Sequence, residues 1–271
     1  MLYKLNDKNP DIEMLQKALN ELMGKELVTD GQFGPLSVQA WRDYQAIKLR
    51  NRVIVDDYKS EDFPELWNYM NRRFLSDADV VEQGRAAGID VAMLFAIRQV
   101  EGQSDGFLSD GRPLILFERH KFYQELEKKF GTAKAVAVMT EAPLICHPKW
   151  DASVYKGYKR EYDRLNYAIT FDRACALKSA SWGMFQIMGG NYEMCGYKDV
   201  EAFVKDMYES EDFHLTAVIK FIKSQPNLMK AIKDKNFAEI ARIYNGPAYA
   251  KNGYDKKLST AYNTYVKVYP K

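Results

Sequence analysis

Cysteine is scarce in this sequence. Cys146, Cys175 and Cys195 are the three present, widely spaced and without a CxxC pair. An odd, scattered set does not make a disulfide framework, and it points to synthesis in a reducing compartment. Histidine is equally rare. His120, His147 and His214 show no HxxxH or HExxH spacing, which removes the clustered ligands of a zinc amidase. A Cys/His peptidase built from Cys146 or Cys175 with His214 lacks any sign of an activated thiol, and a buried inert thiol is the default. The GxxxxGK[ST] loop of a nucleotide hydrolase is absent. No metal and no cofactor are expected. Excess charge is missing too: 39 basic and 37 acidic side chains leave a formal net charge of +2. A nucleic-acid partner is therefore not expected. Lys251, Lys256, Lys257, Lys267 and Lys271 gather near the end and read first as a solvated surface. No apolar run approaches the ~20 residues of a membrane span. The opening Met1-Leu2-Tyr3-Lys4-Leu5-Asn6 has no apolar h-region, so a signal peptide is not expected.

What remains is 271 residues, 46% of them apolar. That is enough for one large folded domain or for two. The pattern predicts a mainly α chain with at most a small β element. Asn9 can cap a helix starting at Pro10, carrying Ile12, Leu15, Leu19, Leu22 and Met23 on one stripe and ending at Gly24. The stretch from Thr29 to Pro35 reads as a tight loop whose glycines supply positive φ. Val38, Trp41, Tyr44 and Gln45 belong to a second helix. Residues 50–75 are mixed, with basic Arg50 and Arg52 and a β-branched run Val53-Ile54-Val55. The joint between domains is expected between 58 and 76, with domains of 1–65 and 66–271. Beyond it, Asp90 can cap a helix running from Val91, and Leu114–Phe117 is either a strand or the start of a buried helix.

The first segment carries a resemblance. Leu15-Gln16, Leu19-Asn20, then Asp30-Gly31-Gln32-Phe33-Gly34-Pro35, then Ala40-Trp41 and Tyr44-Gln45 resemble the three-helix peptidoglycan-binding domain of lytic enzymes. The resemblance implies a small bundle that binds cell-wall glycopeptide. The residues themselves read as a core of Leu15, Leu19, Phe33 and Trp41, with no catalytic constellation.

Glu101 is the carboxyl that stands out. It lies four residues after Ile97 and eight after Met93, on the apolar stripe of its helix. It also closes that helix, where the macrodipole disfavours a second negative charge. Both effects raise a carboxyl pKa, as a general acid requires. The alternative is a helix-end Glu turned to solvent or paired with Arg98. Arg98-Gln99-Val100-Glu101-Gly102 followed by Gly106-Phe107 resembles the catalytic stretch of the N-acetylmuramidase domain of modular phage endolysins. That domain is related to goose-type lysozymes and lytic transglycosylases. Ser181-Trp182-Gly183-Met184-Phe185-Gln186-Ile187 and Ala241-Arg242-Ile243-Tyr244-Asn245-Gly246 resemble two further segments of those families, in family order. Gly102 departs from them, standing where the related lysozymes usually carry Ser.

The resemblance implies a lysozyme-like catalytic domain in which Glu101 protonates the glycosidic oxygen between N-acetylmuramic acid and N-acetylglucosamine. It favours Glu118, in Phe117-Glu118-Arg119-His120, as the polar partner; a salt bridge to Arg119 or Arg112 is the alternative. Asp105 and Asp110 lie in the Gly-rich loop between. Tyr244 and Asn245 would touch the sugar, and Gln186 would line the groove, unless Tyr244 is core and Gln186 a buried helix tie. Trp182 and the Tyr155, Tyr158 and Tyr162 group can stack on sugar rings or pack. The expected partner is bacterial peptidoglycan, with no stable membrane association, and a monomer is expected. An endolysin of this kind is made in the host cytoplasm and reaches the wall through a separate membrane-permeabilising protein. The alternatives are a lytic transglycosylase leaving 1,6-anhydro ends and a non-catalytic wall-binding virion protein.

Overall fold

The computed structural model describes residues 2–48, 54–101, 106–155, 157–247 and 249–270, with the backbone alone at 61, 158 and 159. Arg50, Arg52, Val53, Gly102, Asp105, Lys271 and the Tyr158 side chain lie outside the described residues. The described chain is mainly α, with fourteen α-helices and five strands of two or three residues. It divides into two compact units. One is the chain up to Ser76 together with Phe107–Arg112, and the other is Asp77–Gly106 and Pro113 onward.

The first unit begins with β1 (Leu2–Tyr3). Asn9 then starts α1 (Pro10–Met23) by accepting the Asp11 amide on its side chain, and left-handed Gly24 (φ 62°) ends the helix. Ile12, Leu15 and Leu19 are fully buried, whereas Leu22, at the end of the same stripe, is exposed. Gln16 organises the following loop. Its Oε1 accepts the Gly31 amide at 2.9 Å, and its Nε2 donates to Asp30 Oδ1 and the Gln32 carbonyl at 3.0 Å each. Gly31 has φ +69°, and a Cβ there would stand 2.9 Å from the Asn9 carbonyl oxygen, so only glycine fits. α2 (Pro35–Lys48) brings Trp41 into the core, and β2 (Tyr58–Lys59) pairs antiparallel with β1. The Trp41 ring meets Phe63 edge-on at 4.6 Å.

α3 (Pro64–Arg73) belongs to the first unit, which runs to Ser76, at the late edge of the 58–76 interval expected for the joint. Leu66, Met70 and Phe74 pack into the first core, because two helices cannot enclose Trp41 and Tyr58. Phe107 joins the same core from a distant part of the chain. Arg73 lies 3.5 Å over its ring and donates from Nη2 to the Gly111 carbonyl at 2.5 Å.

The second unit runs α4 (Asp77–Ala87), α5 (Val91–Glu101), β3 (Ile115–Phe117), α6 (Arg119–Phe130), α7 (Thr132–Glu141), α8 (Tyr158–Phe171), α9 (Arg173–Lys178), β4 (Ala180–Trp182), β5 (Ile187–Met188), α10 (Val200–Glu209), α11 (Glu211–Lys223), α12 (Pro226–Asp234), α13 (Phe237–Asn245) and α14 (Tyr254–Val268). α5 is central. Val91 to Ile97 are all buried, as expected of a helix apolar on every side. α14 packs along it, with Phe95 stacked on Tyr265 at 5.2 Å. The Leu114–Phe117 run resolves as a strand. β3, β4 and β5 form an antiparallel sheet in which Ile115 faces Trp182, Phe117 faces Ala180, and Trp182 faces Ile187. Among the described residues no helix is long and apolar enough to cross a membrane.

Candidate active site

Glu101 is the last residue of the buried helix α5. Ile97, Val100, Ile240, Tyr254 and Leu258 surround it at a cavity of about 10 Å³, which holds at most one water. Asn245, the last residue of α13, donates from Nδ2 to Glu101 Oε1 at 2.6 Å. Burial outweighs both that bond and the attraction of Lys257, and the carboxyl pKa is pushed up to about 7. The negative end of the helix acts in the same direction. Glu101 nevertheless keeps part of its surface in solvent, so its proton can be delivered outward. The alternative pairing with Arg98 does not form. Arg98 binds Asp77 at 3.0 Å and lies 4.8 Å over the Phe95 ring.

Tyr244, next to Asn245, donates its hydroxyl to the Phe185 carbonyl at 2.7 Å and packs edge-on against Phe221. Burial, with the Glu101 charge nearby, holds that hydroxyl protonated well beyond its usual range. Phe185 lies in the turn joining β4 to β5. Gly183 opens this turn at φ 70° and Gln186 closes it at φ 48°. A non-glycine residue in that conformation is strained by about 1–2 kcal/mol, and the Gln186 side chain offsets this. Its Nε2 donates to the Gly183 and Leu114 carbonyls at 2.8 and 3.3 Å, and its Oε1 accepts from Ser181 Oγ at 2.8 Å. The amide expected to line a groove is thus engaged in tying the hairpin to the residue before β3.

Trp182 is not available to a sugar. It is 1% exposed, and its indole N–H donates to the Leu177 carbonyl at 3.1 Å. The alternation of β4 turns it inward opposite Ile115. Tyr162 is likewise buried, donating its hydroxyl to the Pro113 carbonyl at 2.8 Å.

Glu118 follows β3, and its amide donates to the Ser179 carbonyl at 2.9 Å. Its carboxyl Oε2 lies 3.2 Å from His120 Nε2. Burial first, then the charges of Lys121 and Arg119, push the His120 pKa down to about 4. The contact is therefore a neutral imidazole N–H donating to the carboxyl. Burial also raises Glu118 above the usual carboxylate range, against the pull of Lys121. Neither expected arginine pairs with it: Arg119 binds Asp151 at 3.1 Å and Arg112 binds Asp110 at 2.7 Å.

One exposed aromatic near Glu118 escaped the sequence reading. Trp150 is 54% exposed and hydrogen-bonds the hydroxyl of Tyr155, which in turn feels the Glu118 charge. Its only signal was an aromatic residue outside every helical stripe, just beyond Pro148-Lys149.

Other chemistries find no support in the geometry. Cys146 and Cys175 are buried thiols whose pKa values burial pushes up to about 11 and about 12. His214 has both ring nitrogens engaged, at the Met184 amide and the Met207 carbonyl. Among the described residues, no three of His, Cys, Asp and Glu gather in a metal-ligating cluster. A cavity of about 700 Å³ opens at the other end of α5, beside Asp90. Its charges are largely self-paired, Asp90 with Lys235 and Tyr262, and Lys230 with Asp234. The eleven residue steps from Asp90 to Glu101 span roughly 16 Å of helix.

A carboxylic acid with a pKa near neutrality is suited to general-acid chemistry, of which glycoside cleavage is one case. The chain belongs to the N-acetylmuramidase family, whose match covers residues 90–266. It is also similar in fold to a Burkholderia AP3 phage endolysin seen in a crystal structure, with a TM-score of 0.63 and 34% identity over 98% of this chain and 100% of that one. No curated protein matches the chain.

Proposed function

We propose that this protein is an endolysin that hydrolyses the β-1,4 bond between N-acetylmuramic acid and N-acetylglucosamine in peptidoglycan, with Glu101 as general acid. The observation that carries this reading is the Glu101 carboxyl, poised to about 7 by burial and held by Asn245. Protonated Glu101 gives its proton to the glycosidic oxygen as the bond breaks, and the sugar develops oxocarbenium character.

The β4–β5 hairpin frames the rest of the site. Its turn is held on the Glu101 side through Tyr244, and its other end, at Ser179, holds the Glu118 amide. Inversion places a water between two carboxyls ~6.5–9.5 Å apart, whereas a nucleophile stands at ~5–5.5 Å. Glu118, steadied by the His120 N–H, takes the proton of that water. Trp150 supplies the stacking platform that buried Trp182 cannot. Gln186 and Tyr244 serve by fixing the hairpin, and Asn245 by orienting the acid. The first unit binds the wall, in keeping with its loop and helix motif.

Mass spectrometry of digested muropeptides tests the reaction. Reducing N-acetylmuramic ends are expected. Ends of 1,6-anhydro type would replace hydrolysis by transglycosylation, and reducing N-acetylglucosamine ends would overturn the bond assignment.

Asn245→Ala tests the acid's surroundings. The Asn245 bond lowers the Glu101 pKa, so its loss raises that pKa and keeps the acid protonated to higher pH. A hydrogen bond to a charged group is worth about 1.5–3 kcal/mol, so the basic limb of the pH–rate profile is expected to move up by about one to two units. A limb that stays in place or moves down refutes this role.

A further inference from the structure

A series of hydrogen bonds runs from Glu101 through the second unit. Asn245 holds the carboxyl, and its neighbour Tyr244 holds the Phe185 carbonyl. The residue before Phe185, Met184, donates its amide to His214 Nδ1 at 3.1 Å. The other ring nitrogen, Nε2, bonds the Met207 carbonyl at 2.7 Å. That bond places the ring proton on Nε2 and leaves Nδ1 as an acceptor. Glu211 lies three residues earlier at the start of α11, and its Oε1 accepts the Gly106 amide at 2.8 Å. Gly106 is five residues beyond Glu101 in the chain.

The fit around His214 is tight on two sides. A Cβ on Gly106 would stand 2.7 Å from His214 Nδ1, and a Cβ on Gly183 would stand 2.8 Å from its ring. Only glycine lets either backbone lie so close to the imidazole. His214 and Glu211 are both 1% exposed. Buried polar groups of this kind are unfavourable unless hydrogen-bonded. Here the bonds go to the backbones on either side of the acid, one after α5 and one in the hairpin that Tyr244 grips.

We propose that Glu211 and His214 are positioning residues for Glu101: they set the separation between the chain beyond the acid's helix and the hairpin that, through Tyr244 and Asn245, holds the acid's carboxyl. The proposal rests on Glu101 being the general acid. A displacement of about 1 Å at a reacting group lowers rates by up to 10²-fold.

The test is steady-state kinetics and pH profiles on purified peptidoglycan for the full chain and four variants, with thermal melts confirming the folded fraction. Glu211→Ala and His214→Ala are expected to lower kcat by about 10- to 100-fold, with KM changed less than about threefold and the basic limb displaced. Glu211→Gln keeps an oxygen for the Gly106 amide, and His214→Asn keeps an acceptor near the Nδ1 position, so each is expected to recover most of the kcat lost in its alanine counterpart. If an alanine variant does not fold, the conservative variant still decides: a folded Glu211→Gln or His214→Asn as impaired as Glu101→Gln overturns the proposal. So do folded alanine variants with unchanged kcat and pH profile, or losses that merely track melting. If Glu101→Gln stays active, the acid assignment itself falls. If Glu101→Gln is inactive while the Glu211 and His214 variants behave as the unaltered protein, only the positioning role falls.

Discussion

Glu101→Gln is expected to lower kcat on peptidoglycan by about 10³-fold with little change in KM, the loss typical of a general acid. Glutamine keeps the shape of the side chain and leaves Oε1 to accept from Asn245, so what disappears is the transferable proton. The same substitution is expected to stabilise the fold in mild alkali. The Glu101 pKa stands at about 7 in the folded chain against an ordinary 4.5. The folded state therefore favours the protonated form. That contribution is fully present below about 4.5 and is lost as pH rises through about 7, where the buried group ionises. The loss reaches on the order of 3 kcal/mol at the alkaline end. Glutamine does not ionise, so thermal melts at pH 8 should show the variant more stable than the unaltered protein, while turbidity assays show it inactive. The unaltered enzyme should itself lose activity about tenfold per unit above pH 7 as the acid empties. Wall clearing by Glu101→Gln at a near-normal rate would refute the assignment, whatever the melts show.

Why Glu101 was legible in the sequence is a matter of local periodicity. Its offset from Met93 and Ile97 placed it on the apolar face, and the structure puts it at the end of α5. The caps were legible for the same reason: Asn9, Pro10 and Gly24 act within one turn of their own positions. What stayed hidden depends on the partner across the fold. Trp182 sits in a strand of three residues, too short for alternation to reveal an inward face. The Glu118 partner was sought among arginines, but packing brought neutral His120 instead. The first unit runs to Ser76 because Leu66 and Met70 seal its core, and the return of Phe107 to that core from beyond α5 had no local signal. His214 read only as a possible partner for Cys146 or Cys175, and Glu211 carried no signal in the sequence. Only the hairpin and Gly106, arriving from elsewhere in the chain, give them a role.

The largest loss of stability is expected at Arg164, whose buried network holds the strand leading to Glu118. Glu161 is fully buried and Arg164 is 7% exposed. Arg164 Nη1 bonds Glu161 Oε2 at 2.6 Å and the Phe117 carbonyl at 2.8 Å, while Nη2 reaches the Leu144 carbonyl at 3.2 Å. Glu161 Oε2 also accepts the Phe117 amide at 3.2 Å. The pair thus grips both sides of the residue before Glu118. Arg164→Met fills similar volume but leaves the Glu161 carboxyl without its cation. Such a loss destabilises by about 3–5 kcal/mol, or roughly 10 °C in the melting temperature of a unit this size. Arg164→Lys should recover only part, since one ammonium cannot reproduce the planar fork. Glu161→Leu combined with Arg164→Met should melt above Arg164→Met alone, because it removes the orphaned charge along with the pair. A single Arg164→Met variant melting within a degree or two of the unaltered protein would show that packing around Phe117, and not the ion pair, carries β3. Because Phe117 directly precedes Glu118, folded Arg164→Met protein assayed well below its melting point should also lose kcat. A variant less stable but fully active would separate the support of the fold from the placement of the second carboxyl.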